Sequence, residues 1–258
     1  MISWFIKLNY VYQALIATLF TYGVTALGAA LVFMFKKVNK NLLDAMLGIS
    51  AGVMIAASFF SLLLPAIESM KSLNLNIFII ILGFMSGGIL LFIGDKVCDK
   101  LVTESNKRIL MLIISITLHN IPEGLAVGVA FGSTFFGLDG ATLLSASMLA
   151  LGIGIQNFPE GTAVSVPLMR EGVSRKKAFF YGQLSGIVEP ISGVIGAILV
   201  TKIRILLPFL LSFAAGAMIY VVVEELIPES QSNEKKDLMA LFTLIGFSIM
   251  MCLDIVFG

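Results

Sequence analysis

The sequence predicts an all-α integral membrane protein of eight transmembrane helices. Three observations carry that reading: hydrophobic residues make up 58% of the 258 and charged ones only 13%, the mean hydropathy is +1.01, and apolar runs long enough to cross a bilayer recur along the whole chain. Soluble domains carry about 25% charged residues, so a water-soluble globule is excluded. Disorder is excluded too, because the Phe, Leu, Ile and Val content buries more apolar surface than chain entropy opposes. A net charge of +1 gives no reason to expect a nucleic-acid partner.

A spanning helix needs about 20 apolar residues to cross about 30 Å of hydrocarbon. Runs of that kind lie at about 11–35, 43–66, 76–94, 109–131, 142–168, 178–201, 205–227 and 238–257. The first follows Lys7 without a small-residue cleavage site and reads as a retained helix, not a removed signal peptide. The second opens after Lys36-Lys37-Val38-Asn39-Lys40, and the third lies between Lys71 and Asp95. The fourth begins after Lys107-Arg108, the fifth ends at Arg170, and the sixth follows Arg175-Lys176-Lys177. The seventh starts beyond Lys202 and Arg204, and the eighth follows the polar run from Glu229 to Lys236. Residues 1–258 therefore read as one transmembrane domain, with no stretch left for a soluble one.

Basic residues are retained on the cytoplasmic side. Thirteen Lys and Arg fall after runs one, three, five and seven (Lys36, Lys37, Lys40; Lys96, Lys100, Lys107, Arg108; Arg170, Arg175, Lys176, Lys177; Lys235, Lys236). Four fall on the other side, Lys7, Lys71, Lys202 and Arg204, so both termini are expected to be extracytoplasmic. Cys98 and Cys252 form no CxxC pair and read as buried structural thiols. Asp44, Glu68 and Asp95 sit at run ends, where solvated carboxylates are ordinary, and receive no role.

Three carboxylates lie deep inside the runs, away from their ends. Glu123, Glu160 and Glu189 fall near the middle of the fourth, fifth and sixth, where each costs roughly 2.5–3.5 kcal/mol to insert. No Lys or Arg lies within any run to offset them, which leaves protonation, a water-filled cavity or a bound cation. A solitary Glu would read as a neutral hydrogen-bonding group. These have company: His119-Asn120-Ile121-Pro122-Glu123-Gly124 and Gln156-Asn157-Phe158-Pro159-Glu160-Gly161 repeat one polar pattern on successive helices. Positions four and three apart share a helical face, so His119 and Asn120 stand beside Glu123, as Gln156 and Asn157 stand beside Glu160. Pro122 and Pro159 cannot donate to the carbonyls of Leu118 and Ile155, which predicts helix kinks and free acceptors at the depth of the carboxylates. His119, the chain's single histidine, then reads as a metal ligand. Imidazole with carboxylate and amide oxygen suits Zn, Fe, Mn or Co better than a hard ion.

At these residues the sequence resembles the ZIP family of divalent-metal transporters, and within it the GufA-type branch. Further matching stretches are Ala51-Gly-Val-Met54-Ile-Ala-Ala57-Ser-Phe-Phe-Ser61-Leu-Leu-Leu-Pro65, Gly186-Ile-Val-Glu189-Pro190, and Gly216-Ala-Met-Ile-Tyr-Val-Val-Val-Glu224-Glu225-Leu-Ile-Pro228-Glu229. The resemblance implies a ZIP-like bundle and a binuclear metal centre. His119, Glu123, Gln156 and Glu160 would form one site; Asn120, Glu123, Asn157, Glu160 and Glu189 would form the other. It implies a pathway past Met54, Ala57 and Ser61, three residues that share one face of the second helix, and past Glu224 and Glu225. Glu224 stands where related sequences often have histidine, which implies a more carboxylate-rich release route.

The expected function is movement of a divalent transition metal, zinc foremost with Fe2+, Mn2+, Co2+ or Cd2+ as other candidates, toward the cytoplasm by alternating access. The ion would be substrate, with no prosthetic group. The resemblance further implies a homodimer in the plasma membrane, with helices one, four, five and six moving against two, three, seven and eight. Ligands must be deprotonated to bind, so binding should weaken as pH falls. A proton or monovalent-cation channel would explain the carboxylates but not His119 with the duplicated amides. An intramembrane metalloprotease would want two His flanking a Glu, and this chain has one His in total.

Overall fold

The computed structural model describes residues 3–34, 39–101, 107–136, 141–170 and 172–257. Lys36 and Lys37 lie outside the described residues, as do the side chains of Cys98, Lys100, Lys107, Arg108, Arg170 and Arg204.

Among the described residues every regular element is helical: α1 (Ser3–Ile6), α2 (Tyr10–Ala29), α3 (Leu31–Met34), α4 (Lys40–Ala57), α5 (Leu64–Ser72), α6 (Phe78–Leu101), α7 (Lys107–Ser133), α8 (Leu143–Arg170), α9 (Arg175–Leu184), α10 (Val188–Lys202), α11 (Leu207–Val221), α12 (Ile227–Ser230) and α13 (Lys236–Phe257). Local chemistry sets several of their ends. The Asn9 and Asn39 side chains accept from the backbone N–H groups of Val11 and Asn41, both at 2.9 Å, and so cap α2 and α4. Gly172 takes a φ of 88° in the turn after α8, a conformation that costs glycine nothing.

Among the described residues, six stretches are long and apolar enough to cross a membrane: Tyr10–Met34, Lys40–Ser72, Phe78–Val97, Arg175–Lys202, Leu207–Ser230 and Lys236–Val256. The helices overrun several expected boundaries; the second reaches Ser72 where the apolar run stopped near 66. α8, with 28 residues, is not among the six. In α8, Gln156, Asn157, Pro159 and Glu160 pull the mean hydropathy down in the middle of the helix.

Three departures from continuous α-helix bear on the expected site. Ser58–Leu63 and Val222–Leu226 adopt π geometry, each just ahead of a proline, Pro65 and Pro228. A proline has no N–H for the carbonyl four residues back and crowds it, and a wider turn relieves both problems. Ser61 therefore stands in a π turn, where α spacing from Met54 no longer applies. The sixth expected span is divided by a 3-10 turn, Ser185–Ile187, which leaves Glu189 in the first turn of α10. α7 and α8 continue through Pro122 and Pro159 as α-helix.

The main pairings are α10 on α7, α11 on α6, α13 on α4 and α2 on α8. The glycine ending each repeated motif permits two of them. A Cβ on Gly161 would lie 2.0 Å from the Thr25 carbonyl oxygen of α2, and one on Gly124 would lie 2.4 Å from the Glu189 carbonyl oxygen of α10. These close approaches bring α2 and α10 up to the two motifs. Two expectations about side chains need correction. Cys252 is exposed, because α13 packs through one face and turns the other outward. Asp44 is buried, not solvated: Asn233 of the segment ahead of α13 donates to its carboxylate at 2.7 Å.

Candidate metal centre

All seven residues expected at the centre are buried: His119, Asn120, Glu123, Gln156, Asn157, Glu160 and Glu189. They are brought together from α7, α8 and α10. Gln156 Nε2 donates to Glu123 Oε1 at 2.7 Å, and Asn157 Nδ2 donates to both Glu189 oxygens at 2.9 Å. Asn120 Nδ2 donates to the Ser185 carbonyl at 2.9 Å.

With the carboxylates ionised, as metal binding requires, the amides have one workable orientation. Ionised carboxylates and backbone carbonyls accept but do not donate, so each amide must turn its NH2 toward them and its oxygen away. The outcome is a set of buried atoms with no hydrogen-bond partner: Asn120 Oδ1, Gln156 Oε1, Asn157 Oδ1, Glu123 Oε2 and His119 Nε2. Buried polar atoms are normally satisfied. Five orphans, every one an electron-pair donor, fit a site built to receive a cation.

His119 Nδ1 lies 2.8 Å from Glu225 Oε2. The negative charge of a carboxylate there favours the proton on Nδ1, although the pair lies outside regular hydrogen-bond geometry, and so leaves the Nε2 lone pair for a metal. Among the described residues no group of three His, Cys, Asp or Glu side chains could hold an ion by itself. A cation at this place would depend on the amide oxygens as well.

Sequence reasoning missed several partners. Ser50 of α4 donates to Glu160 Oε1 at 3.4 Å and to the Gln156 carbonyl at 3.2 Å. Thr21 of α2 donates to Glu189 Oε2, and Thr25 to Glu189 Oε1 at 3.3 Å. Small hydroxyl residues inside an apolar run carry no distinguishing signal until the facing helix is known. Of the expected pathway residues, Met54 and Ala57 are fully buried, and Ser61 donates to Asp254 at 2.7 Å. Ser61 and Asp254 also line a cavity of about 250 Å³ with Glu68, Ser133 and Ser145. Glu224 is exposed and Glu225 half-buried, both in the π turn ahead of Pro228.

Comparison with known proteins places the chain. A family model described as ZIP Zinc transporter matches residues 100–254. The chain is 37% identical to zinc transporter ZIP11 of Homo sapiens, over 96% of this chain and 98% of that protein. It is 33% identical to zinc transporter ZupT of Streptococcus mutans, over 94% and 96%. It is 31% identical to zinc transporter GufA of Myxococcus xanthus, over 95% and 98%. The chain belongs to the ZIP family of divalent-metal transporters.

Proposed function

We propose that this protein carries zinc, and divalent transition metals of similar size, across the plasma membrane toward the cytoplasm. The observation that carries the reading is the cluster of unpartnered donor atoms on α7 and α8. His119 Nε2, Glu123 and Gln156 Oε1, with Glu160, form one site; Asn120 Oδ1, Asn157 Oδ1 and the glutamates 123, 160 and 189 form a second. Glu123 and Glu160 bridge the two. An ion arriving past Ser61, Ala57 and Met54 exchanges its water for these ligands and leaves past Glu224 and Glu225.

Counting α7 and α8 with those six stretches, the chain crosses eight times, with both termini extracytoplasmic. α2, α7, α8 and the α9–α10 pair move as one group against the remaining helices in alternating access, within a homodimer. Bends at Pro122 and Pro159 help open the carbonyls beside the site. A proton or monovalent-cation channel accounts for the carboxylates but gives the His119 tautomer and three amide oxygens nothing to do.

Zinc uptake into proteoliposomes tests the reading. Wild type should load the lumen, and Glu123→Ala and Glu160→Ala, reconstituted to equal density, should lose most uptake. Equal uptake by all three would remove the proposed site.

A further inference from the structure

The buried threonines of α2 divide into two kinds. Thr18 donates to carbonyls of its own helix, Ala14 at 2.8 Å and Leu15 at 3.1 Å, as an isolated membrane threonine does. Thr21 and Thr25 also reach carbonyls one turn back, but each has Glu189 as a second acceptor. A hydroxyl has one proton, and an ionised carboxylate attracts it more strongly than a carbonyl. Together with the Asn157 amide at both oxygens, these hydroxyls fix the position of a carboxylate that is fully buried. Glu189 is thereby held from α2, and it in turn holds Asn157 with Nδ2 inward and Oδ1 unpartnered.

We infer that Thr21 and Thr25 are positioning residues of the metal centre: through Glu189 they orient Asn157 so that its carbonyl oxygen faces the second ion. The inference rests on the two-site reading above. Neither threonine touches the ion. The close approach at Gly161, where the Thr25 backbone meets α8, keeps the cradle in place.

Valine has the shape of threonine without the hydroxyl, and serine keeps the hydroxyl, so the test compares Thr21→Val/Thr25→Val with Thr21→Ser/Thr25→Ser. Thr18→Val serves as control. Zinc stoichiometry is measured by calorimetry on purified protein, and KM and maximal rate by proteoliposome uptake. The valine pair should drop from two bound ions to one and raise KM roughly 10-fold. Its first-ion affinity should hold, and the serine pair and the Thr18 control should match wild type.

A folded valine pair that binds two ions with unchanged KM overturns the inference. So does a valine pair that fails to fold while the serine pair works normally, because the hydroxyls would then be structural. Wild type that binds no zinc at all defeats the underlying metal-site reading instead, so the two failures are distinguishable.

Discussion

Asn120 and Asn157 occupy the same place in two matching segments, yet one gives its amide to the Ser185 carbonyl and the other to the Glu189 carboxylate. The residues ahead of them differ similarly. His119 turns toward Glu225 at 2.8 Å, whereas Gln156 turns toward Glu123 at 2.7 Å. Gly124 admits α10 and Gly161 admits α2. A repeated motif thus supplies the same ligand types twice, while its neighbours decide how each ligand is held. The α7 copy is oriented largely by groups beyond α8, and the α8 copy largely by the other carboxylates of the centre.

The comparison can be broken from either side. Glu225→Gln acts on the α7 copy through His119: an amide can donate to Nδ1 as well as accept from it, so the Nε2 lone pair is no longer assured. Partners of metal-binding histidines are worth about 10–100-fold in affinity, and zinc calorimetry should show a loss in that range. Unchanged affinity would mean that Glu225 does not set the histidine tautomer.

The glycines come next. Gly124→Ala and Gly161→Ala each place a Cβ against neighbouring backbone, and overpacking of this kind costs about 1–3 kcal/mol. Denaturant unfolding in detergent should register the loss for both variants. A tolerant Gly161 with an intolerant Gly124 would show that α2 is the looser partner.

The smallest effect belongs to Ser50→Ala, which acts on the α8 copy. Its contact with Glu160 is long, 3.4 Å, and a net hydrogen bond contributes about 0.5–1.5 kcal/mol. Uptake KM should rise by no more than about tenfold. A larger rise would place Ser50 among the residues that touch the ion.

Much of the centre was legible in the linear chain because its cost is intrinsic. A Glu at mid-membrane is expensive whatever surrounds it, and the paired His or Gln and Asn stand on its helical face by spacing alone. Pro65 and Pro228 offered a similar local signal, and the π turns precede them. Thr21, Thr25 and Ser50 carried none, since a hydroxyl in a membrane helix satisfies itself on its own backbone unless another acceptor is brought near. Asp44 looked like a surface acid because nothing local announces Asn233, which lies 189 residues away.

Composition and apolar periodicity by themselves determined a helical membrane protein with a polar centre on two matching helices, because insertion cost and helical spacing are local properties. Which nitrogen of His119 keeps its proton, which way each amide turns, and which threonines hold Glu189 were decided only when distant helices met. Hydrogen-bond direction depends on the acceptor opposite, and that acceptor lies on another helix.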